Sequence, residues 1–404
     1  MKKQPKKKNN NLIFFKLNQS LLLIYLFFLP TQLGKHFFFN FSFLQGVRSD
    51  YLAPTFYFLD FIFLLLICLN LKTILRSFSN KYFLLLILML IFNLVTALNL
   101  SLATIKSLRI IQWLIIFFLF KQAALSPKKI LLTLFISALI QFFLVSYQFY
   151  NGHALQGIFY FLGERYFHLS TIGIAKINLL GKEFLRPYGT FSHPNSLAGF
   201  YLLLYVFILT KKYFDQAFWL KNLVLLIFSL LIFLSFSKTA ILVFILILFI
   251  FYLSQKNSCR VCTITHLFVI TVCSIIFLLG QADPLSLVKR LVLANQALKI
   301  IQAYPLFGIG LNNYLLAQTK FNNPLPGLFN QPVHNLFLLI IAEIGLVNSG
   351  LILWLGKQHL GKQLKENYLL TLVIILTGIT DHYWWTLPQN FFLLAFVLGS
   401  LKKG

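Results

Sequence analysis

The chain of 404 residues is 59% hydrophobic and only 11% charged, whereas soluble domains carry about 25% charged residues. This composition excludes an ordinary soluble protein. Its net charge of +26 does not indicate nucleic-acid binding, because Lys and Arg stand in short clusters between apolar runs and not on one soluble face. Runs such as ILVFILILFIFYL favour membrane helices over the alternating segments of a transmembrane β-barrel. The predicted fold class is an all-α integral membrane protein.

Apolar runs in chain order predict about twelve transmembrane helices. The Lys-rich start resembles a signal peptide but has no small-residue cleavage site, so we expect the first helix to be retained. Most Lys and Arg residues fall in segments placed inside by this topology, which predicts a cytoplasmic-membrane protein with both termini cytoplasmic. The predicted spans are 17–33, 55–70, 82–98, 103–120, 130–150, 195–210, 218–235, 239–254, 262–280, 335–355, 368–382 and 388–401.

The spans divide the chain into four predicted parts. Residues 1–16 form a basic cytoplasmic tail, and 17–185 hold the N-terminal transmembrane helices with a first outer loop. Residues 186–350 form a core with a large outer loop at 281–334, and 351–404 hold the C-terminal transmembrane helices.

The four cysteines, Cys68, Cys259, Cys262 and Cys273, lie in or beside apolar runs. Cys259 and Cys262, with His266 nearby, could form part of a zinc site, but the sequence offers no second pair and no clear fourth ligand. We interpret these cysteines as small buried hydrophobic residues. No disulfide framework is predicted.

The outer segment 281–334 contains a predicted amphipathic helix on the outer membrane surface. Asp283 and Pro284 suit the N-cap and the first helical position, and Pro305 marks the end. The residues at helical spacing are Val288, Leu291, Val292, Asn295, Leu298 and Ile301. The predicted polar side carries Lys289, Arg290, Gln296 and Lys299.

Polar residues that could carry chemistry cluster on the predicted outer side. Arg186 and Arg290 could bind a lipid pyrophosphate, because a guanidinium binds phosphate through two parallel hydrogen bonds and stays charged. His334 could take a proton from an attacking hydroxyl, because the pKa of histidine is about 6.5. Glu343 follows within a predicted span, where a carboxyl must face protein or water and a functional role is the default.

Structural alternatives stand beside these interpretations. A single outer arginine often contacts lipid phosphates, and His193, Pro194 and Asn195 suit the start of a helix. Gly308 and Gly310 indicate only a turn.

The outer acids form no paired motif. The sequence therefore predicts that the protein has no metal site and that its chemistry is metal-independent. These outer acids are Asp50, Glu164, Glu183, Asp283 and Asp381.

Several strings together resemble the O-antigen ligase and polymerase superfamily. RPYGTFSHPNSLAG at 186–199 is similar to the signature that opens the core of these proteins. In the same order follow SFSKTA at 235–240, a segment ending in YPLFGIGLNNY at 304–314, and HNLFLLIIAEIGL at 334–346. The resemblance covers about 186–350 and implies a GT-C-like helical bundle.

The resemblance also implies an inverting glycosyltransferase at the outer membrane face that needs no cofactor. The donor would be a polyprenyl-diphosphate-linked glycan (undecaprenyl diphosphate in polysaccharide biosynthesis of the cell envelope), in contact with membrane lipid. The acceptor would be a glycan, a lipid or a protein. At the positions of this chain that match the family's motifs, the catalytic residues implied by the resemblance are Arg186, Arg290 and His334. The substrate-binding residues are His193, Asn195, Asn335, Glu343 and Lys238, where the family often has arginine.

Three other functions remain open from the sequence. A polymerase of lipid-linked repeat units would use the same residues and differ in the length of its product. A transporter of lipid-linked glycans would carry ionisable residues through several spans, whereas here they cluster on the outer side. A non-catalytic scaffold would leave the combination of Arg186, Arg290, His334 and Glu343 without a role.

Overall fold

The computed structural model describes residues 6–78, 81–254, 285–321 and 331–401, and some residues between 264 and 275. Most of the predicted span 262–280 lies outside the described residues. So do Cys259, Cys262, Cys273, His266 and the predicted cap at Asp283 and Pro284.

Helices account for most of the described chain, and each predicted span other than 262–280 overlaps one of them. The first group is α1 (Lys6–Phe28), α2 (Phe58–Phe78), α3 (Lys81–Thr96), α4 (Leu100–Gln122), α5 (Pro127–Asn151), α6 (Ile158–Phe161), α7 (Pro194–Thr210), α8 (Phe218–Leu234) and α9 (Lys238–Ser254). The second is α10 (Leu285–Ala303), α11 (Tyr314–Gln318), α12 (Leu336–Glu366), α13 (Tyr368–Thr380), α14 (Tyr383–Thr386) and α15 (Pro388–Gly399).

Within the described residues, five helical segments are long and apolar enough to cross a membrane. They are Phe58–Arg76, Leu100–Gln122, Pro127–Asn151, Lys212–Leu234 and Leu336–Glu366. Six further apolar helices are shorter, among them α7, α13 and α15. The fold is therefore that of a helical membrane protein, while the number of about twelve spans stays a prediction.

In the described residues, three small antiparallel sheets lie in the loops of this mostly helical fold. They pair β1 (Gly34–His36) with β4 (Thr55–Tyr57), β2 (Phe43–Leu44) with β3 (Val47–Arg48), and β5 (Lys176–Leu179) with β6 (Lys182–Leu185). Two of the hairpins turn at residue pairs with positive φ, Gln45–Gly46 and Leu180–Gly181, as tight two-residue hairpins require. Strands of two to four residues are too short to produce a detectable period in the sequence.

Helix α7 forms the centre of the bundle. Every residue from Ser196 to Leu209 is buried, because α7 packs against α8, α9, α13 and α15. A helix that is apolar on every side must be covered by other helices on all of its faces. Its first turn, at His193 and Asn195, is therefore held rigidly at one end of the bundle.

Helix α12 is broken at Gly345, which has φ of 76°. The segment after α10 lies across the break and binds the freed backbone groups: the Leu346 amide donates to the Pro305 carbonyl at 2.9 Å, and the Gly310 amide donates to the Glu343 carbonyl at 2.9 Å. An unpaired peptide group is costly in an apolar environment. The YPLFGIG string and the EIG string thus form one structural unit, and Gly308 and Gly310, both with positive φ, belong to it.

Helix α10 forms where it was predicted and ends at Ala303, before Pro305. Its orientation differs from the prediction. The side that packs against α12 carries Leu293, Gln296 and Ala297, and the buried Gln296 accepts a hydrogen bond from Gln318 at 2.6 Å. The prediction that Gln296 lies on an exposed polar side was wrong, because the tertiary contact with α11 and α12 overrides the sequence pattern.

Gly345→Ala is expected to destabilise the protein and to lower Tm by several degrees. A Cβ at residue 345 would meet the backbone of Leu306 and Phe307, and the left-handed conformation costs an L-residue about 1–2 kcal/mol. Gly350→Ala in the same helix is the control, because its Cβ would meet nothing within 4 Å. Thermal unfolding of both variants in detergent tests this, and equal Tm values would contradict it.

Candidate functional site

A cavity of about 800 Å³ opens beside the start of α7. Its wall is assembled from the loop between α1 and α2, from α4, from the segment before α7 and from residues around α14. Of the predicted site residues, the wall contains His193 and His334. Polar groups and aromatic rings share this wall, which is the usual composition of a small-molecule site.

His334 lies beside two residues that directly follow α13, Asp381 and His382. Nδ1 of His334 is 3.5 Å from Oδ1 of Asp381, and the two histidine rings are 5.3 Å apart between centroids. Nε2 of His334 lies 3.2 Å from the side-chain oxygen of Gln331. We refer to His334, Asp381 and His382 as the histidine–aspartate cluster.

The carboxyl of Asp381 stays ionised although it is buried. Burial alone would raise the pKa of Asp381, but contact with His334 and the nearby His382 and His193 hold it well below its usual range. Burial lowers the pKa of His193 to about 3, with the Arg186 charge adding to the effect. Burial likewise lowers the pKa of His382 to about 4, against the attraction of Asp381. At neutral pH the cluster therefore carries the negative charge of Asp381 beside two neutral rings, His193 and His382.

Asn195 connects this cluster to Arg186. Its side-chain nitrogen donates to Oδ2 of Asp381 at 3.0 Å, and its side-chain oxygen accepts from Nη2 of Arg186 at 2.7 Å. Nε of Arg186 donates to the carbonyl of Ser235 at 3.1 Å. The strings 186–199 and 235–240, distant in sequence, thus meet at one guanidinium.

The charge of Arg290 on α10 acts electrostatically on Arg186. Burial lowers the pKa of Arg186 to about 10, and the Arg290 charge acts in the same direction. Both side chains are half-buried, and Arg290 forms no ion pair with a carboxylate of the described residues. We refer to Arg186 and Arg290 as the arginine pair. Two neighbouring guanidinium groups repel each other and together attract a multiply charged anion.

His193 and Asn335 have structural roles in addition to any contact with substrate. Nδ1 of His193 accepts a hydrogen bond from the backbone amide of Asn195 at 3.1 Å and caps α7, as the sequence indicated. The side-chain oxygen of Asn335 caps α12 by accepting the amides of Phe337 and Leu338. Lys238, the first residue of α9, is half-buried.

Glu343 is buried and faces protein. Its carboxylate accepts a hydrogen bond from the indole nitrogen of Trp385 at 2.8 Å. Lys106 donates a short hydrogen bond to the Trp385 carbonyl. The carboxyl thus lies behind the wall that Trp385 and Lys106 form.

Asp381 is distant in sequence from the other outer acids but lies in a group of three residues that could hold a metal ion, while the absence of a metal site stays a prediction. Side-chain atoms of the histidine–aspartate cluster that could bind a metal all lie within 4.8 Å of one another. Two imidazoles and one carboxylate are a usual ligand set for zinc or iron. The residues come from two segments about 50 positions apart, so their proximity required the tertiary fold.

The sequence reasoning missed Asp381 and His382 as site residues and missed the loop between α1 and α2. Arg48 and Tyr51 of that loop line the cavity, as does Arg165. The one available signal was the Asp381–His382 pair placed directly after an apolar run. Nothing in the sequence indicated that the loop folds over this end of the bundle.

Fold and site together define a helical membrane protein with a polar cavity at one end of its bundle, next to a pair of arginines. A model of the family described as O-antigen ligase matches residues 223–355. This match confirms the superfamily predicted from the sequence motifs, over a segment that includes Arg290, His334 and Glu343. No curated protein matches the chain.

Asn195→Ala is expected to lower Tm by a few degrees, because both Arg186 and Asp381 lose a buried partner, at about 1–3 kcal/mol. Asn151→Ala is the control, since Asn151 is exposed and donates only to a carbonyl of its own helix. Thermal unfolding in detergent measures the difference. An unchanged Tm for Asn195→Ala would mean that the bridge contributes nothing.

Proposed function

We propose that the protein transfers a glycan from a polyprenyl-diphosphate-linked donor to an acceptor hydroxyl on the outer face of the cytoplasmic membrane. The observation that carries the proposal is that His334 and Asp381 line one cavity and that Asn195 connects Asp381 to Arg186 of the arginine pair. The match to the O-antigen ligase family supports this reaction class.

In the proposed step, His334 acts as the general base. A proton on Nδ1 would face Asp381 at 3.5 Å. Nε2, which lies 3.2 Å from the Gln331 side-chain oxygen, would then accept the proton of an acceptor hydroxyl that takes the place of that oxygen. The hydroxyl oxygen then forms a bond to the anomeric carbon, while the bond from that carbon to the phosphate oxygen breaks. The electron pair leaves with polyprenyl diphosphate, and the configuration at the carbon inverts. Asp381 stabilises the imidazolium that results.

The arginine pair would hold the pyrophosphate. Arg186 uses two of its five N–H donors, on Asn195 and on Ser235, and so retains donors for a ligand. Negative charge on the leaving pyrophosphate grows as the glycosidic bond breaks, so two cations lower the barrier most at that moment. His193, Asn195, Asn335, Lys238 and Glu343 would shape the site around the substrates.

A transfer assay in proteoliposomes tests the role of His334. The donor is a labelled undecaprenyl-diphosphate glycan, and His334→Ala is expected to reduce transfer at least 100-fold, since general acid–base catalysis contributes about 10²–10⁴-fold. His359→Ala is the control, because that histidine lies on the distant half of α12. A long product would identify a polymerase, and donor moved across the bilayer unchanged would identify a transporter.

Arg290→Ala is expected to reduce transfer at least 10-fold at unchanged protein level, because the leaving pyrophosphate loses a charge-assisted bond. Lys299→Ala on the same helix removes one exposed cation and is expected to leave transfer unchanged. Equal activity of the two variants would remove Arg290 from the mechanism.

We further propose that the chemistry needs no metal, although the histidine–aspartate cluster could bind one. Dialysis of the wild-type protein against EDTA is expected to leave the transfer rate unchanged. A rate that falls and returns on addition of a divalent cation would contradict this and would make His334 a metal ligand.

A further inference from the structure

Lys106 places a cation on the cavity wall from within α4, a helix of transmembrane length. Its amine donates to the Trp385 carbonyl and lies 4.6 Å from the centre of the Trp385 ring and 4.7 Å from that of Phe391. A charged residue at such a position is costly and marks a functional site by default. No sequence motif included it.

Two other cations of the cavity wall, Arg109 and Arg48, have carboxylate partners, whereas Arg165 donates to the Ser192 carbonyl at 3.4 Å. Arg109 binds Asp60 through both terminal nitrogens, and Arg48 lies 3.5 Å from Asp50. In the part of the chain that the structure describes, Lys106 forms no ion pair with a carboxylate.

Glu343 attracts Lys106 electrostatically, but its carboxylate is hydrogen-bonded to the Trp385 indole. An ammonium group has three donors, and the Trp385 carbonyl takes one of them. Two donors of Lys106 therefore remain for a ligand in the cavity.

Helix α14 connects Lys106 to the histidine–aspartate cluster. His382 directly precedes the helix, and its ring lies 2.7 Å from the Thr386 hydroxyl, while Trp385 of the same turn contacts Lys106. One turn of helix spans about 5.4 Å. The contacts therefore run in order from the arginine pair through Asn195 to the cluster and from there to Lys106.

This order of contacts indicates a separate binding position for each of the two substrates, the donor and the acceptor. If the pyrophosphate of the donor binds the arginine pair and His334 lies in the middle, the acceptor occupies the side of Lys106. We propose that Lys106, with Trp385 and Phe391 beside it, binds an anionic group, a carboxylate or a phosphate, of the acceptor glycan. The inference rests on the proposed function and names the acceptor class as an acidic carbohydrate.

Binding to the detergent-solubilised full-length protein tests the inference without requiring transfer. The probes are a disaccharide with a glucuronic acid, its methyl ester, and the same disaccharide with a phosphate monoester in place of the carboxylate. Wild-type protein is expected to bind at least one anionic probe about 10-fold or more tightly than the ester, because the anion gains charge-assisted hydrogen bonds. The tighter of the two anionic probes identifies the group.

Lys106→Gln is expected to abolish this preference, and Arg290→Gln is expected to keep it. Since Lys106→Gln leaves Glu343 without its cation, the double variant Lys106→Gln/Glu343→Gln repeats the measurement with the local charge balanced. Three results would overturn the inference: no preference in wild type, a preference that survives Lys106→Gln, or one lost only in Arg290→Gln. Anion binding without transfer would refute the proposed function alone, and transfer without preference would refute this site alone.

Discussion

The site depends on the contacts that the buried carboxylate of Asp381 makes. It lies at the end of α13, contacts His334 from the start of α12, and accepts from Asn195 at the start of α7. A charge in an apolar interior is tolerated only with partners, so this one group draws three helix ends together. Through Asn195 it also sets the position of Arg186.

A second constraint is the need to pair every backbone group inside an apolar bundle. The break of α12 at Gly345 frees peptide groups, and the segment between α10 and α11 binds them. Asn93 of α3 adds a side-chain bond to the Glu343 carbonyl at 3.3 Å. Helix α10, and Arg290 with it, is thereby attached to α12. Gly308 and Gly310, which the sequence indicated only as turn residues, therefore help to position the cation of Arg290.

The network extends to the loops that close the cavity. Gln148 of α5 donates to Glu164 and accepts the amides of Tyr188 and Gly189, and Glu164 accepts the amides of Leu155 and Gln156. These bonds fix the segment before α7, which carries Arg186 and His193. A loop bound at both ends in this way presents its polar side chains at constant positions, which catalysis by orientation requires.

The sequence by itself determined the helical membrane class, the overlap of predicted spans with helices, and the superfamily, since long apolar runs and ordered motifs are local signals. It also singled out Arg186, Arg290 and His334. Only the tertiary structure brought Asp381 and His382 to His334, buried Gln296 and placed Lys106 on the cavity wall. These contacts join residues that lie up to a few hundred positions apart, and no local period encodes which helix ends meet. Polar pairing inside an apolar bundle is decided by packing, so it could be read only from the folded chain.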